Sequence, residues 1–170
     1  MTAREQPALL LITGSRQFND HNLIRNALDH AWTEALGRGF TQLVVVHGGA
    51  RGADALAQDW AERRQARGVH WRVFRADWAG ECTGECKPGH RKPQRGGGTY
   101  CPAEGTRRNQ RMIDHVRAQA VPGGVLALVF LVPEQPDDKR TRNRGTHDCW
   151  RRIKAAGLPY RDFAARQAGR

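Results

Sequence analysis

The sequence is short of acidic residues, of lysine and of long apolar runs. Seventeen Asp and Glu stand against 28 Lys and Arg, and only four of those 28 are lysine. No segment approaches the roughly 20 apolar residues of a membrane span, and residues 1–7 (MTAREQP) lack the apolar core of a secretory leader. A soluble, cytoplasmic protein with no membrane partner is therefore expected. The Walker lysine and the GxGxxG spacing are both missing, which removes two common phosphate-loop signatures. Without an internal repeat or a heptad pattern, solenoids and coiled coils are excluded too. A chain of 170 residues with 39% apolar content can bury one substantial core, so one domain over residues 1–170 is expected.

The acid shortage leaves a net charge of +11. Arginine in excess suits partners that carry phosphate, either nucleic acid or small phosphorylated molecules. A GC-rich coding bias produces the same surplus, so arginines in particular loops need arguments of their own.

What is present reads as alternating strands and helices. Residues 8–13 (ALLLIT) form a continuous apolar run ending at TGSR, as a buried parallel strand does. Asp20 can cap a helix over about 21–37 with Leu23, Ile24, Ala27, Leu28, Ala31, Trp32 and Ala35 on one face, stopped by Gly37 and Gly39. A second strand is expected at 42–47, a helix at about 52–67 with Gly68 beyond it, and a third strand at 69–75. Further helices are expected at about 105–119, with Met112, Ile113 and Val116 inward, and at about 146–156, ended by Gly157. Between these helices 124–132 is the strongest strand, and LPYRDF supplies a short edge strand. The alternation predicts an α/β, Rossmann-like, doubly wound fold with a mainly parallel sheet and helices on both faces.

Ligands in such sheets sit at the carboxyl ends of strands, beside helix N-termini. HGGARGAD (47–54) falls at one such end. There Gly48, Gly49 and Gly52 can let backbone approach an anion, Arg51 can add a guanidinium fork, and Asp54 can cap a helix or accept from a ribose hydroxyl. The alternative is a tight strand-to-helix turn and nothing more. Gly14, Ser15 and Arg16 close the first strand in the same way. Two glycine-bearing strand ends on neighbouring strands converge on one pocket. Trp32, Trp60 and Trp71 read as packing residues, and His47 as a strand-end residue with a satisfied hydrogen bond. Trp78, just past the third strand, is placed equally well to stack on a base or to pack. Residues 137–144 (DDKRTRNR) read as a solvated loop, able to close over phosphate if it lies near the pocket.

Residues 76–104 break the rhythm with six glycines and three of the four cysteines. A Cys/His-rich inserted loop is placed at 79–104. Its Cys82, Cys86, His90 and Cys101 have the content of a closed, tetrahedral Cys3His zinc site, which a glycine-rich loop with little apolar material needs in order to fold. Such a zinc ion is structural, positioning Arg91, Lys92, Arg95 and Tyr100; the alternatives are unliganded thiols or a disordered loop.

The combination of ITGSRQFNDHNLI, VVVHGGARGADALAQDWA, RADW, RRNQRM and RGTHDCWRRIKAAGLP resembles the YspA-like branch of the SLOG (SMF/DprA-LOG) superfamily. Its relatives include the lonely-guy phosphoribohydrolases and the DNA-processing protein DprA. The likeness covers the chain apart from the insertion, and it implies a Rossmann-like sheet that binds a nucleotide or nucleotide-derived ligand, as sensor or processing protein. By position, Gly14, Ser15 and Arg16 match the family's first nucleotide-contacting loop, and Gly48, Gly49, Gly52 and Asp54 its second. Arg108 and Asn109 resemble the place of the phosphoribohydrolases' active-site arginine, and Gly145 and Thr146 their final glycine-threonine pair. Those enzymes read PGGxGTxxE, whereas RNRGTHDCW has no glycine pair and places Cys149 at the glutamate. N-glycosidic cleavage needs a carboxylate, so catalysis is left to Asp54 or Asp77, with Arg108, as candidates. Expected partners are a nucleotide-derived small molecule, with nucleic acid and further copies of the chain left open. The alternatives are a DprA-like nucleic-acid binder and a phosphoribohydrolase-type N-glycosidase.

Overall fold

A computed structural model describes residues 5–166. Five parallel strands form its sheet: β1 (Ala8–Gly14), β2 (Leu43–His47), β3 (Val69–Val73), β6 (Val125–Leu131) and β7 (Tyr160–Ala164), in the order β3-β2-β1-β6-β7. Successive side chains of a strand point to opposite faces, so the apolar run of β1 supplies two cores at once. Leu10 and Ile12 pack with helices α1 (His21–Gly37) and α2 (Ala53–Glu62). Leu9 and Leu11 pack with Met112, Ile113 and Val116 of α3 (Glu104–Ala118) and with Cys149 and Ile153 of α4 (Arg144–Ala155). The expected α/β fold with helices on both faces is what forms. Between β3 and α3 lies a small antiparallel hairpin, β4 (Lys92–Pro93) with β5 (Thr99–Tyr100), a pairing that the insertion's composition does not signal. No helix among the described residues is long and apolar enough to cross a membrane.

Helix α1 starts where expected: Asp20 Oδ1 accepts from the Leu23 N–H at 2.9 Å, satisfying one orphan donor of the first turn. Helix α2 is shorter than its pattern. It ends at Glu62, and a 3-10 turn over Gln65–Arg67 leads to Gly68 in the left-handed region at φ 84°. Arg64, just past the helix, bonds Asp29 at 2.7 Å and lies 4.6 Å from the Trp60 ring, and the left-handed Gly68 leads directly into β3. Trp32 and Trp60 are buried as expected, and Trp71 is half-buried against the same core. Helix α4 begins two residues before the expected 146, since Asn143, at φ 50°, turns the chain into it.

The order of the strands decides where a ligand can go. From β1 the chain first winds outward through β2 to β3, then crosses back to β6 on the other side of β1. The connections after β1 and β6 therefore leave in opposite directions and open a crevice beyond their carboxyl ends. Gly14 lies opposite Phe130 in this register, and the Ser15 N–H donates to the Phe130 carbonyl at 2.9 Å.

Candidate functional site

The crevice is a cleft of about 600 Å³, floored by Ile12, Thr13 and Gly14 and walled by segments from four parts of the chain. Of the thirteen residues expected to bind the ligand, ten line it: Gly14, Ser15, Arg16, Arg51, Asp54, Trp78, Arg108, Asn109, Gly145 and Thr146. Three do not. Gly48 is buried beneath Arg108, Gly49 borders a separate pocket of about 210 Å³ with His47 and Arg75, and Gly52 packs on the first loop. Asp77 is exposed outside the cleft, with its carboxylate beside Gly80.

Each loop is held by its own backbone. Gly52 takes φ 74°, and a Cβ there would collide with the Ser15 carbonyl oxygen and the Arg16 backbone. Only glycine lets the two strand-end loops meet at this point. Ser15 is buried, and its hydroxyl accepts from the Gln17 N–H at 3.1 Å, while its carbonyl accepts from Phe18 and Ala53. Arg16 is exposed, with its guanidinium carbon 5.9 Å from the Trp78 ring centre. Asp54 caps nothing in its own helix. Its Oδ2 instead turns back to accept from the Gly48 N–H at 3.0 Å and the Ala50 N–H at 3.1 Å, closing the glycine loop from inside. Burial pushes Asp54 up to about 6, against the pull of those N–H groups and of Arg108 and Arg16. His47 Nδ1 accepts from the Gly49 N–H at 3.1 Å, but its buried Nε2 has no partner among the described residues, so the expected hydrogen bonding is met on one side only. Burial, with Arg75 and Arg108 nearby, brings His47 down to about 4, which keeps it neutral.

On the other wall, Arg108 Nη1 donates to the Gly48 carbonyl at 2.6 Å and its Nε to Asn109 Oδ1 at 3.0 Å. Asn109 is buried, and its amide donates to Asp148 at 2.9 Å and to the Gly145 carbonyl at 3.3 Å, tying α3 to the start of α4. Burial works against Asp148 ionising, but Arg152, Asn109 and Arg151 hold it below the ordinary carboxylate range. Cys149, at the glutamate position of the resemblance, is fully buried in the α3/α4 core, and burial pushes its thiol up to about 11. A neutral thiol packed there is neither a nucleophile nor a substitute carboxylate.

The last wall of the cleft is strongly basic. Lys139 and Arg140, from the loop after β6, and Arg144 and Arg151, from α4, all line the cleft. That loop is pinned by Asn143, whose amide donates to Val132 O at 3.0 Å and Thr141 O at 2.8 Å, while its Oδ1 accepts from Val132 N at 3.3 Å. Two features of the sequence point to it: the basic run 137–144, and an asparagine just before the RGT of α4, a residue type that tolerates positive φ.

Beside the cleft, the side chains of Cys82, Cys86, His90 and Cys101 converge, with ligand atoms all within 4.8 Å of one another, and the cluster can hold a metal ion. His90 Nε2 is 3.2 Å from Cys82 Sγ and 3.1 Å from Cys101 Sγ, and Cys86 Sγ is 3.8 Å from Cys101 Sγ. His90 Nδ1 lies 2.7 Å from the Lys87 carbonyl, so it donates there and leaves Nε2 as the ligand atom. Arg91 donates to Cys82 at 3.1 Å, and Arg107 donates to Cys86 and Cys101. Burial opposes ionisation of Cys101, but hydrogen bonds from His90, the Ala103 backbone and the neighbouring thiols bring it down to about 6.

Comparison with known proteins agrees with this architecture. A family model for the YspA, cpYpsA-related SLOG family matches residues 9–80, from β1 through the Trp78 loop. The chain is also similar to the Gene 61 protein of Mycobacterium phage D29, with 34% identity over 156 residues, covering 91% of this chain and 94% of that protein. No solved structure matches. The family match begins at the central strand and takes in both glycine loops, and the phage relative extends the likeness along almost the whole chain: this protein belongs to the YspA, cpYpsA-related SLOG family.

Proposed function

We propose that the cleft binds a nucleotide-derived, phosphorylated ligand, with the protein acting as sensor or processor of it. One observation carries the reading: among the described residues seven cationic side chains line the cleft against two carboxylates, and both carboxylates are already engaged by protein groups. Arg16, Arg51, Lys139 and Arg144 form no ion pair among the described residues and are exposed, which leaves their donors for a ligand. Guanidinium forks match phosphate oxygens, and the half-buried Trp78 offers a ring face for a base. Family membership favours a nucleotide-related ligand. Binding is preferred to N-glycosidic cleavage because Asp54 is committed to its loop, Asp77 lies outside the cleft and Cys149 is buried. The test is calorimetry with AMP. Wild type should bind, and Arg16→Ala should lose about tenfold in affinity, as removal of one charge-assisted phosphate contact implies. Steeply salt-dependent binding of single-stranded DNA, without AMP binding, would transfer the site to the nucleic-acid reading. Release of free adenine faster than buffer would restore the phosphoribohydrolase reading.

The metal that fits the Cys/His cluster is zinc. Thiolates about 2.3 Å from a tetrahedral ion stand about 3.8 Å apart, the separation between Cys86 and Cys101. Four protein ligands leave no open position, so the role is structural. Freshly purified protein should carry about one zinc per chain and lose it in Cys82→Ser or Cys101→Ser. Absence of metal together with freely reactive thiols would remove this assignment.

A further inference from the structure

Among the described residues Trp78 is the one aromatic residue in the cleft wall, and the loop that carries it has no regular structure of its own. Its backbone is held from the metal cluster. The Cys101 N–H donates to the Trp78 carbonyl at 3.0 Å. Arg91, which reaches Cys82, also donates to the Gly80 carbonyl at 2.9 Å, to the Ala79 carbonyl at 3.4 Å and, on the hairpin side, to Thr99 O at 2.9 Å and Thr99 Oγ1 at 2.8 Å. The Tyr100 ring meets the Trp78 ring edge-on at 6.2 Å. On the inner side the indole lies over Gly105, at the first turn of α3, where an added Cβ would stand 2.9 Å from the ring. Arg107 faces the thiols while Arg108, its neighbour on α3, lines the cleft. Between residues 79 and 103 the only buried residue is Cys101, so the segment has no apolar core to order it.

We propose that the Cys82/Cys86/His90/Cys101 cluster is a clamp that sets the position of Trp78, with Arg91 and Cys101 as positioning residues, so that ligand affinity in the cleft depends on metal loading. The proposal rests on the ligand and zinc readings above. Its mechanism is entropic. With the cluster closed, the Trp78 wall is ordered before a ligand arrives; with it open, binding must order that wall, and affinity falls accordingly.

The test compares zinc-loaded full-length protein with protein stripped by chelator and dialysed, using amide hydrogen exchange and AMP calorimetry. Stripping should speed exchange in residues 77–80 and 99–103 at least tenfold while the amides of β1 and β6 keep their protection, and should weaken AMP binding about tenfold. Trp78→Ala should bind AMP as weakly loaded as stripped, whereas Trp78→Phe should keep the metal dependence. Should stripping abolish the far-ultraviolet circular dichroism, loaded Arg91→Ala replaces it, since that variant keeps all four ligands and cuts the bonds to Gly80, Ala79 and Thr99. Unchanged exchange at 77–80, or equal AMP affinity with and without zinc, overturns the clamp. Failure of AMP to bind either form counts against the ligand reading, and the exchange data then decide the clamp alone.

Discussion

Replacing Asp54 with Asn asks whether the charge at the centre of the second loop stabilises the fold or burdens it. The carboxylate is 5% exposed and accepts two backbone N–H groups through one oxygen. Asn keeps an oxygen for those donors and never ionises. Burial moves Asp54 from 3.8 to about 6. At about 1.4 kcal/mol for each pH unit, this disfavours the ionised form in the fold by about 3 kcal/mol. The sign follows from a raised value: the stability that Asp54 contributes is fully present below pH 3.8 and is lost as pH rises through about 6. Urea unfolding of wild type and Asp54→Asn from pH 4 to pH 8 isolates this effect, since titrations common to both proteins cancel in the difference. Wild-type stability relative to Asp54→Asn should fall by about 2.4 kcal/mol between pH 4 and pH 7, the rest of the roughly 3 kcal/mol being lost below pH 4, and should stay level above pH 7. A difference that is flat, or that grows in favour of wild type with pH, would show that the loop N–H groups and Arg108 outweigh desolvation, and would refute the reasoning.

Gly52→Ala should destabilise the protein by about 2–4 kcal/mol, because the new Cβ meets backbone rather than a movable side chain and φ is positive. A urea midpoint unchanged from wild type would show that the two loops can separate at no cost. Asn143→Ala removes three hydrogen bonds and places alanine in a left-handed conformation, and should cost about 2–3 kcal/mol and loosen the basic wall. Asn143→Gly, which restores backbone freedom without the bonds, should recover only part of the stability in the same assay.

Much of the fold is legible in residues taken one element at a time. The β1 run, the one-sided apolar pattern of α1 with its Asp20 cap, and Met112, Ile113 and Val116 on α3 all report burial through local period, and each lies where that period places it. The Cys/His spacing belongs with them, because metal ligands within one short insertion need only a loop closure to meet. The cleft is different. Arg16, Trp78, Arg108 and Arg144 come from four distant segments, and only the crossing from β3 back to β6 beside β1 makes them neighbours. Loop residues carry no period to say which way they face. For that reason the sequence does not show that Gly48, Gly49 and Gly52 lie outside the cleft lining and in close contact with neighbouring groups, or that Asp54, expected to cap its helix or accept from a ribose, turns one oxygen back to its own loop. The sequence determined which segments are buried and which residues can bind a metal; the sheet order, set by burying both faces of β1, decided which loops share a cleft and which side of each loop is turned toward it.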